Sequence, residues 1–398
     1  MGGERNQDPV AILERLVADR ERTHGDDHPD TLSTRFNLAN AYLAAGRTQD
    51  AIALFEPLLA DLERILGAEQ ANTLRTRGNL ATAYQAAGRT HDAVAILEPL
   101  LAARDRILGA DHPETLASRG TLATAYQDAG RTRDAVAILE PLLAELERIV
   151  GAEHPNTLST RGNLATAYLA AGRTEDAIAI LVPLLADLER ILGPEHPNTL
   201  RTRNNLATAQ QAAGPSDDAI AILEPLVADR ERILGPEHPD TLSSRNNLAN
   251  AYQAAGRTDD AMAILEPLVA DLERTLGDQH PNTLNTRGNL ASAYQVAGRT
   301  EDAMAILEPL LVDLDRTLGR EHPDTLGSRN NLANAHLAAG RPDDAIAILE
   351  PLVADLERVL GAEHPDTLGS RTNLTSAYRA AGRTADADDG ETRLGDWD

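Results

Sequence analysis

Among residues able to serve as ligands or bases, histidine is the one with a rhythm. A His-Pro pair opens at His28, His112, His154, His196, His238, His280, His322 and His364. Gln70-Ala71 stands where the same spacing demands one more, so nine starts fall 42 residues apart with no insertion or deletion. One imidazole per repeat cannot converge on an ion, because packed helices put equivalent atoms about 10 Å apart and zinc holds its ligands at about 2 Å. A turn or capping role is expected instead. Cysteine is absent, which removes disulfides and thiolate metal sites. Lysine is absent too: all 37 basic residues are arginine, and there is no GxxxxGK loop, GxSxG elbow or HExxH motif. Paired acids such as Asp259-Asp260 recur at helix starts, where the helix dipole accounts for them. These residues describe no catalytic centre, no cofactor and no metal.

What positions them is the repeat itself, and a fixed period of 20–50 residues marks a solenoid. Aromatic residues are only 3% of the chain, so alanine, leucine and isoleucine must build the core, which suits close-packed helices. The net charge of −25 argues against nucleic acid or an anionic membrane, both of which require clustered positive charge. There is no run of eighteen apolar residues, and MGGERNQDPV lacks the apolar segment of a signal peptide, so a cytoplasmic protein is expected. Residues 1–8 read as a flexible leader. An array over 9–381 follows, opening with a lone half-repeat at 9–27 and then units starting at 28, 70, 112, 154, 196, 238, 280, 322 and 364. Residues 384–398 lack an apolar stripe and read as an acidic, disordered tail carrying Trp397. The last helix would then be weakly covered, leaving self-association through the C-terminal end open.

Each unit reads as two helices. In the first unit one helix is expected from about Asp30 to Ala45, capped by Asp30 or Thr31, with Leu32, Leu38, Ala39, Tyr42 and Ala45 buried. Gly46 closes it and Arg47-Thr48 forms the turn. The second helix is expected from about Gln49 to Leu66, with Thr48 as N-cap and an apolar face of Ala51, Leu54, Phe55, Leu58, Leu62, Ile65 and Leu66. Pro57 falls inside that helix and recurs in register to Pro351. A proline there removes one backbone hydrogen bond and costs about 3 kcal/mol in a regular helix. Either a tolerated kink or inheritance from one duplicated ancestor fits.

The order Leu38-Ala39-x-x-Tyr42, Gly46, Ala51, Phe55 resembles the tetratricopeptide repeat. The 42-residue period, with NNLA in the first helix and an LGxEHP leader, resembles its kinesin light chain-like subtype. Gln210 and His336 in place of tyrosine, Pro215-Ser216 in place of Arg-Thr, and Gln70-Ala71 in place of His-Pro depart from the pattern in single units. The resemblance implies an all-α, right-handed α-solenoid of helix-turn-helix repeats, with first helices lining the concave face.

Across the first helices the positions of Ser33, Phe36, Asn40 and Leu43 vary freely, and their spacing places them on one stripe. The stripe is mostly Gly, Asn, Ser, Thr and Gln rather than charge, and it matches the family's groove-facing positions. Beside it runs an asparagine ladder. The resemblance implies that such asparagines contact bound peptide; a structural ladder is the alternative. The candidate groove residues are Asn79, Asn163, Asn205, Asn247, Asn289, Asn331, Asn250, Gln253, Thr208, Gln211, Ser292 and Gln295. A recurring arginine, Arg35 to Arg371, lies nearly opposite the stripe and faces recurring acids such as Glu63, Glu231 and Glu357, which predicts an arginine–carboxylate ladder between units. The expected function is a non-catalytic scaffold binding an extended peptide or partner segment in the concave groove. The alternative is the sensor or autoinhibitory portion of a bacterial signalling or transcriptional regulator whose effector lies elsewhere.

Overall fold

Repetition at 42 residues forces one local solution many times over. The computed structural model describes residues 9–214, 216–383 and 385–387, and among them all regular structure is helical. After α1 (Pro9–His24), nine first helices alternate with eight second helices. The first helices are α2 (Pro29–Ala44), α4 (Ala71–Ala86), α6 (Pro113–Asp128), α8 (Pro155–Ala170), α10 (Pro197–Ala213), α12 (Pro239–Ala254), α14 (Pro281–Val296), α16 (Pro323–Ala338) and α18 (Pro365–Ala380). The second helices are α3 (Thr48–Leu66), α5 (Thr90–Leu108), α7 (Thr132–Ile149), α9 (Thr174–Leu192), α11 (Ser216–Leu234), α13 (Thr258–Leu276), α15 (Thr300–Thr317) and α17 (Pro342–Val359). The protein is an all-α solenoid. It divides into two compact units, Met1–Ile191 and Leu192–Asp398.

The histidines cap the first helices. Each His Nδ1 accepts the backbone N–H two residues on, as His238 does from Asp240 at 3.2 Å, while Pro239 takes the first helical position. This replaces the expected Asp30 or Thr31 cap: a ring nitrogen reaches the orphan amide that a shorter side chain would otherwise serve. Thr31 is buried instead, and its hydroxyl donates to the Gly25 carbonyl at 2.8 Å. Thr48 likewise lies inside α3 rather than capping it, and Arg47 at the cap position makes no side-chain cap bond; its Nε donates to the Asp50 carboxylate of the first turn at 2.6 Å. At the far end of α12, Gly256 takes φ 74°, and the Arg257 N–H reaches back to the Tyr252 carbonyl at 2.8 Å. Glycine is cheapest in that left-handed backbone.

Consecutive helices pack on one another from α1 to α8 and from α10 to α18, and first helices also touch the first helices of neighbouring repeats: α2 with α4, α4 with α6 and α6 with α8, and likewise from α10 to α18. Among the described residues no two second helices of a unit do so. The side on which first helices close up is therefore the inner, concave side. Leu32, Leu38, Ala39, Ala51, Phe55, Leu58 and Leu62 are buried as expected. Ile65 and Leu66, expected in the apolar face, are 38% and 42% exposed, because α3 runs past the helices that cover it. Ala45, also expected to be buried, is exposed at the C-cap of α2. The second helices run unbroken through their prolines; Pro57 and Ala53, whose carbonyl loses its partner, both lie on the exposed side where water can replace the bond. Ala385–Ala387 are helical with Ala387 buried, while residues 1–8 and 388–398, including Trp397, lie outside the described residues.

Candidate functional site

The concave face is built from first-helix positions that point away from the second helices. In the first unit it opens into a cavity of about 390 Å³ lined by Thr82, Gln85, Ala117, Gly120, Thr121, Thr124, Ser159 and Asn163, with Leu142 and Leu146 of α7 beneath. In the second unit a cavity of about 470 Å³ is lined by Gly327, Asn330, Asn331, Gly369, Ser370, Thr372 and Asn373, with Leu356 and Leu360 beneath. Amides, hydroxyls and glycines form the walls and leucines the floor. Such walls suit a backbone with alternating donors and acceptors.

Several expected groove residues spend their amides bracing neighbouring repeats. Asn247 donates to Asn204 Oδ1 at 3.1 Å, Asn289 to Asn246 Oδ1 at 3.2 Å, and Asn79 to Asn40 Oδ1 at 2.7 Å. Gln253 and Gln295 donate to the main-chain carbonyls of Asn289 and Asn331 at 3.1 and 2.7 Å. Asn163 and Asn331 line the two cavities. Asn205, Asn250, Gln211 and Ser292 are half-buried, and Thr208 is exposed with its hydroxyl on the Asn204 carbonyl. Asn79, Asn247 and Asn289 thus tie repeat to repeat, while Gln85, Ala117 and Ser159 line the first cavity.

The arginine ladder is present. Arg287 reaches Glu273 of the preceding second helix at 2.6 Å and Asp313 of the following one at 3.2 Å; Arg245 does the same with Glu231 and Asp271. These side chains are mostly buried, so each arginine is a bracket between consecutive second helices rather than an anion site.

A second bracket was not legible within one helix. Each tyrosine hydroxyl donates to a glutamate 28 residues earlier, as Tyr252 to Glu224 at 2.7 Å and Tyr84 to Glu56 at 2.7 Å. The arginine of the turn covers the ring: the Arg257 guanidinium lies 4.3 Å from the Tyr252 centroid while its Nε donates to Asp260 at 2.7 Å. Burial first and the glutamate second push Tyr84 and Tyr252 up to about 12. The signal available in sequence was the joint recurrence of Glu, Tyr, Arg and Asp. Among the described residues no three His, Asp or Glu gather as metal ligands, and no helix is long and apolar enough to cross a membrane.

Stacked helical hairpins with a concave inner face define an α-solenoid of helix-turn-helix repeats. Tetratricopeptide repeat models match residues 5–64, 41–106 and 69–144, and then 157–198, 199–240, 241–282, 283–324 and 325–366. The chain belongs to the tetratricopeptide repeat family. A putative kinesin light chain from Podosopora anserina with nearly identical repeats is 36% identical over 52% of this chain and 98% of its own, with a TM-score of 0.46. The quorum sensor NprR from B. thuringiensis is 14% identical over 91% of this chain and 97% of its own, with a TM-score of 0.59. A Rap protein complexed with Competence and Sporulation Factor is 12% identical over 89% and 99%, with a TM-score of 0.56. No curated protein matches the sequence.

Proposed function

We propose that the protein is a non-catalytic scaffold whose concave groove binds an extended peptide or partner segment. The observation that carries this is the glycines of the groove. An added Cβ at Gly120 or Gly162 would meet only Leu142 or Leu184, at 4.0 and 3.9 Å, which is ordinary contact. Packing therefore does not demand glycine there, although glycine inside a helix costs about 0.5–1 kcal/mol relative to alanine. Keeping the wall low leaves room for a ligand. The Rap protein, a relative in fold, is complexed with a factor, which is consistent with this use of such a face. NprR, a quorum sensor, supports the second reading, in which the same groove is the sensor of a regulator.

The test is to pan a displayed twelve-residue peptide library against the full chain and against Ala117→Trp/Ser159→Trp, which fills the first cavity without touching the repeat-to-repeat bonds. Recovered peptides that bind the wild type and lose affinity for the filled variant, at unchanged melting temperature, support the groove. Peptides that bind both equally move the site elsewhere.

A further inference from the structure

The 42-residue register runs through the first and last helices of the array. α1 is in register with a second helix: its Glu14, Asp19 and Arg22 correspond to Glu56, Asp61 and Arg64. α18 is in register with a first helix. Inside the array each first helix is covered by the second helix that follows it, as α16 is by α17. Among the described residues no first helix packs ahead of α1, and only Ala385–Ala387 are helical beyond α18. After Ala387 the register places Asp388 and Glu391 where α17 carries Ile346 and Leu349, so the apolar face that covers α16 has no counterpart there.

Both helices expose a leucine that the interior repeats bury. Leu16 is 38% exposed, while its counterparts from Leu58 to Leu352 are exposed by 1% or less. That leucine faces the first helix before it: the Leu100 side chain lies 3.7 Å from where a Cβ on Gly78 of α4 would stand. Leu368 is also 38% exposed, while its counterparts from Leu32 to Leu326 reach 7% at most. Leu326 packs in one cluster with Leu349, Leu352 and Leu356 of α17. A lone exposed leucine is ordinary on a protein surface, but these two are the halves of one interior contact. The charges match in the same register. Arg329 of α16 bridges Asp315 at 2.9 Å and Asp355 of α17 at 3.3 Å, whereas Arg371 of α18 reaches only Glu357, at 2.7 Å, among the described residues. Asp19 of α1 holds the place of Asp355 and pairs with Arg22 of its own helix. Arg358 ties Glu321 of the loop before α16 at 2.9 Å. Its counterpart in α1 is Arg22, and Glu363, the counterpart of Glu321 before α18, makes no ion pair among the described residues.

We propose that α18 is the docking surface for α1 of a second copy of this chain, which takes the place that a following second helix holds inside the array. Leu16 of the incoming copy covers Leu368, its Asp19 reaches Arg371, and its Arg22 reaches Glu363. The contact is heterologous, so each added copy presents a further α18 and assembly does not stop at a dimer. One helix pair is a small interface, which makes the association weak and dependent on concentration. It needs no groove ligand.

The test is sedimentation velocity on the full chain at about 0.15 M salt, where the overall charge of −25 is screened beyond about 8 Å. Concentrations from about 1 to about 500 μM bracket the affinity of so small a contact. The weight-average mass is expected to climb past that of a dimer without a plateau. Leu16→Glu and Leu368→Glu, each at a side chain already part-exposed, should each stay monomeric with unchanged helicity. Mixed together they should form a dimer and nothing larger, because one keeps an intact α18 and the other an intact α1. Arg22→Glu should weaken assembly about fivefold, and Glu363→Arg in the same chain should restore it. A chain that stays monomeric throughout, as it would if residues 388–398 covered α18, overturns the proposal. So does a wild-type series that stops at the dimer, or association that survives either glutamate variant.

Discussion

His336 shows how a single residue can leave a repeat incomplete. It occupies the tyrosine position, and Glu308 waits 28 residues earlier, but the buried imidazole Nδ1 has no hydrogen-bond partner and Asp344 is 3.9 Å away. His336→Tyr is expected to supply the missing hydroxyl–carboxylate bond and stabilise the protein by about 1 kcal/mol. For a cooperative body of this size that is a rise of roughly 2–4 °C in melting temperature, measured by circular dichroism. No change would show that the tyrosine–glutamate bond adds nothing to stacking. The tyrosines that are in place predict a second outcome. Their pKa is raised above the ordinary 10.0, reaching about 12 for Tyr84 and Tyr252. A group raised on folding contributes stability that is intact below the unfolded value and lost as pH climbs through the folded one. Melting temperature should therefore hold to about pH 10 and fall towards pH 12, with tyrosinate absorbance rising late and together with unfolding. Tyrosinate appearing near pH 10 in the folded chain would contradict the bracket.

At the scale of the helix, the sequence shows periodicity well and partnership poorly. The 42-residue frame, the helix pairs and the arginine ladder were all legible, because apolar spacing and opposite charges recur visibly. The His cap was legible only as a class of role, since which side chain reaches the first free amide depends on the extended backbone of His28 and its equivalents. Ile65 and Leu66 continue the apolar stripe of α3 but outrun its cover, and spacing along one helix carries no record of where the neighbour ends. The asparagine ladder beside the stripe admits either peptide contact or a structural role, and Asn247 and Asn289 have their amides committed to Asn204 and Asn246 of the preceding repeat. Their partners lie 43 residues away, outside any single-helix pattern. The groove glycines give the sharper prediction. Gly120→Ala with Gly162→Ala should stabilise the array by about 1–2 kcal/mol in total, read as a shift in urea midpoint, while weakening any groove ligand. A loss of stability would mean that the two leucines below cannot accommodate the methyl groups.

For the molecule as a whole, each repeat buries its faces only against its neighbours, so function has to be written on a surface that stacking does not consume. The arginine and tyrosine brackets tie repeat to repeat; the inner stripe combines small side chains with open cavities. This division of labour is the central claim, and hydrogen exchange on the full chain with and without a library-selected peptide tests it most directly. The account predicts slowed exchange centred on first helices such as α6, α8, α12 and α14, with the second helices that floor the groove changed less. Protection of second helices with the first helices unchanged would contradict it, and would place binding on the outer face.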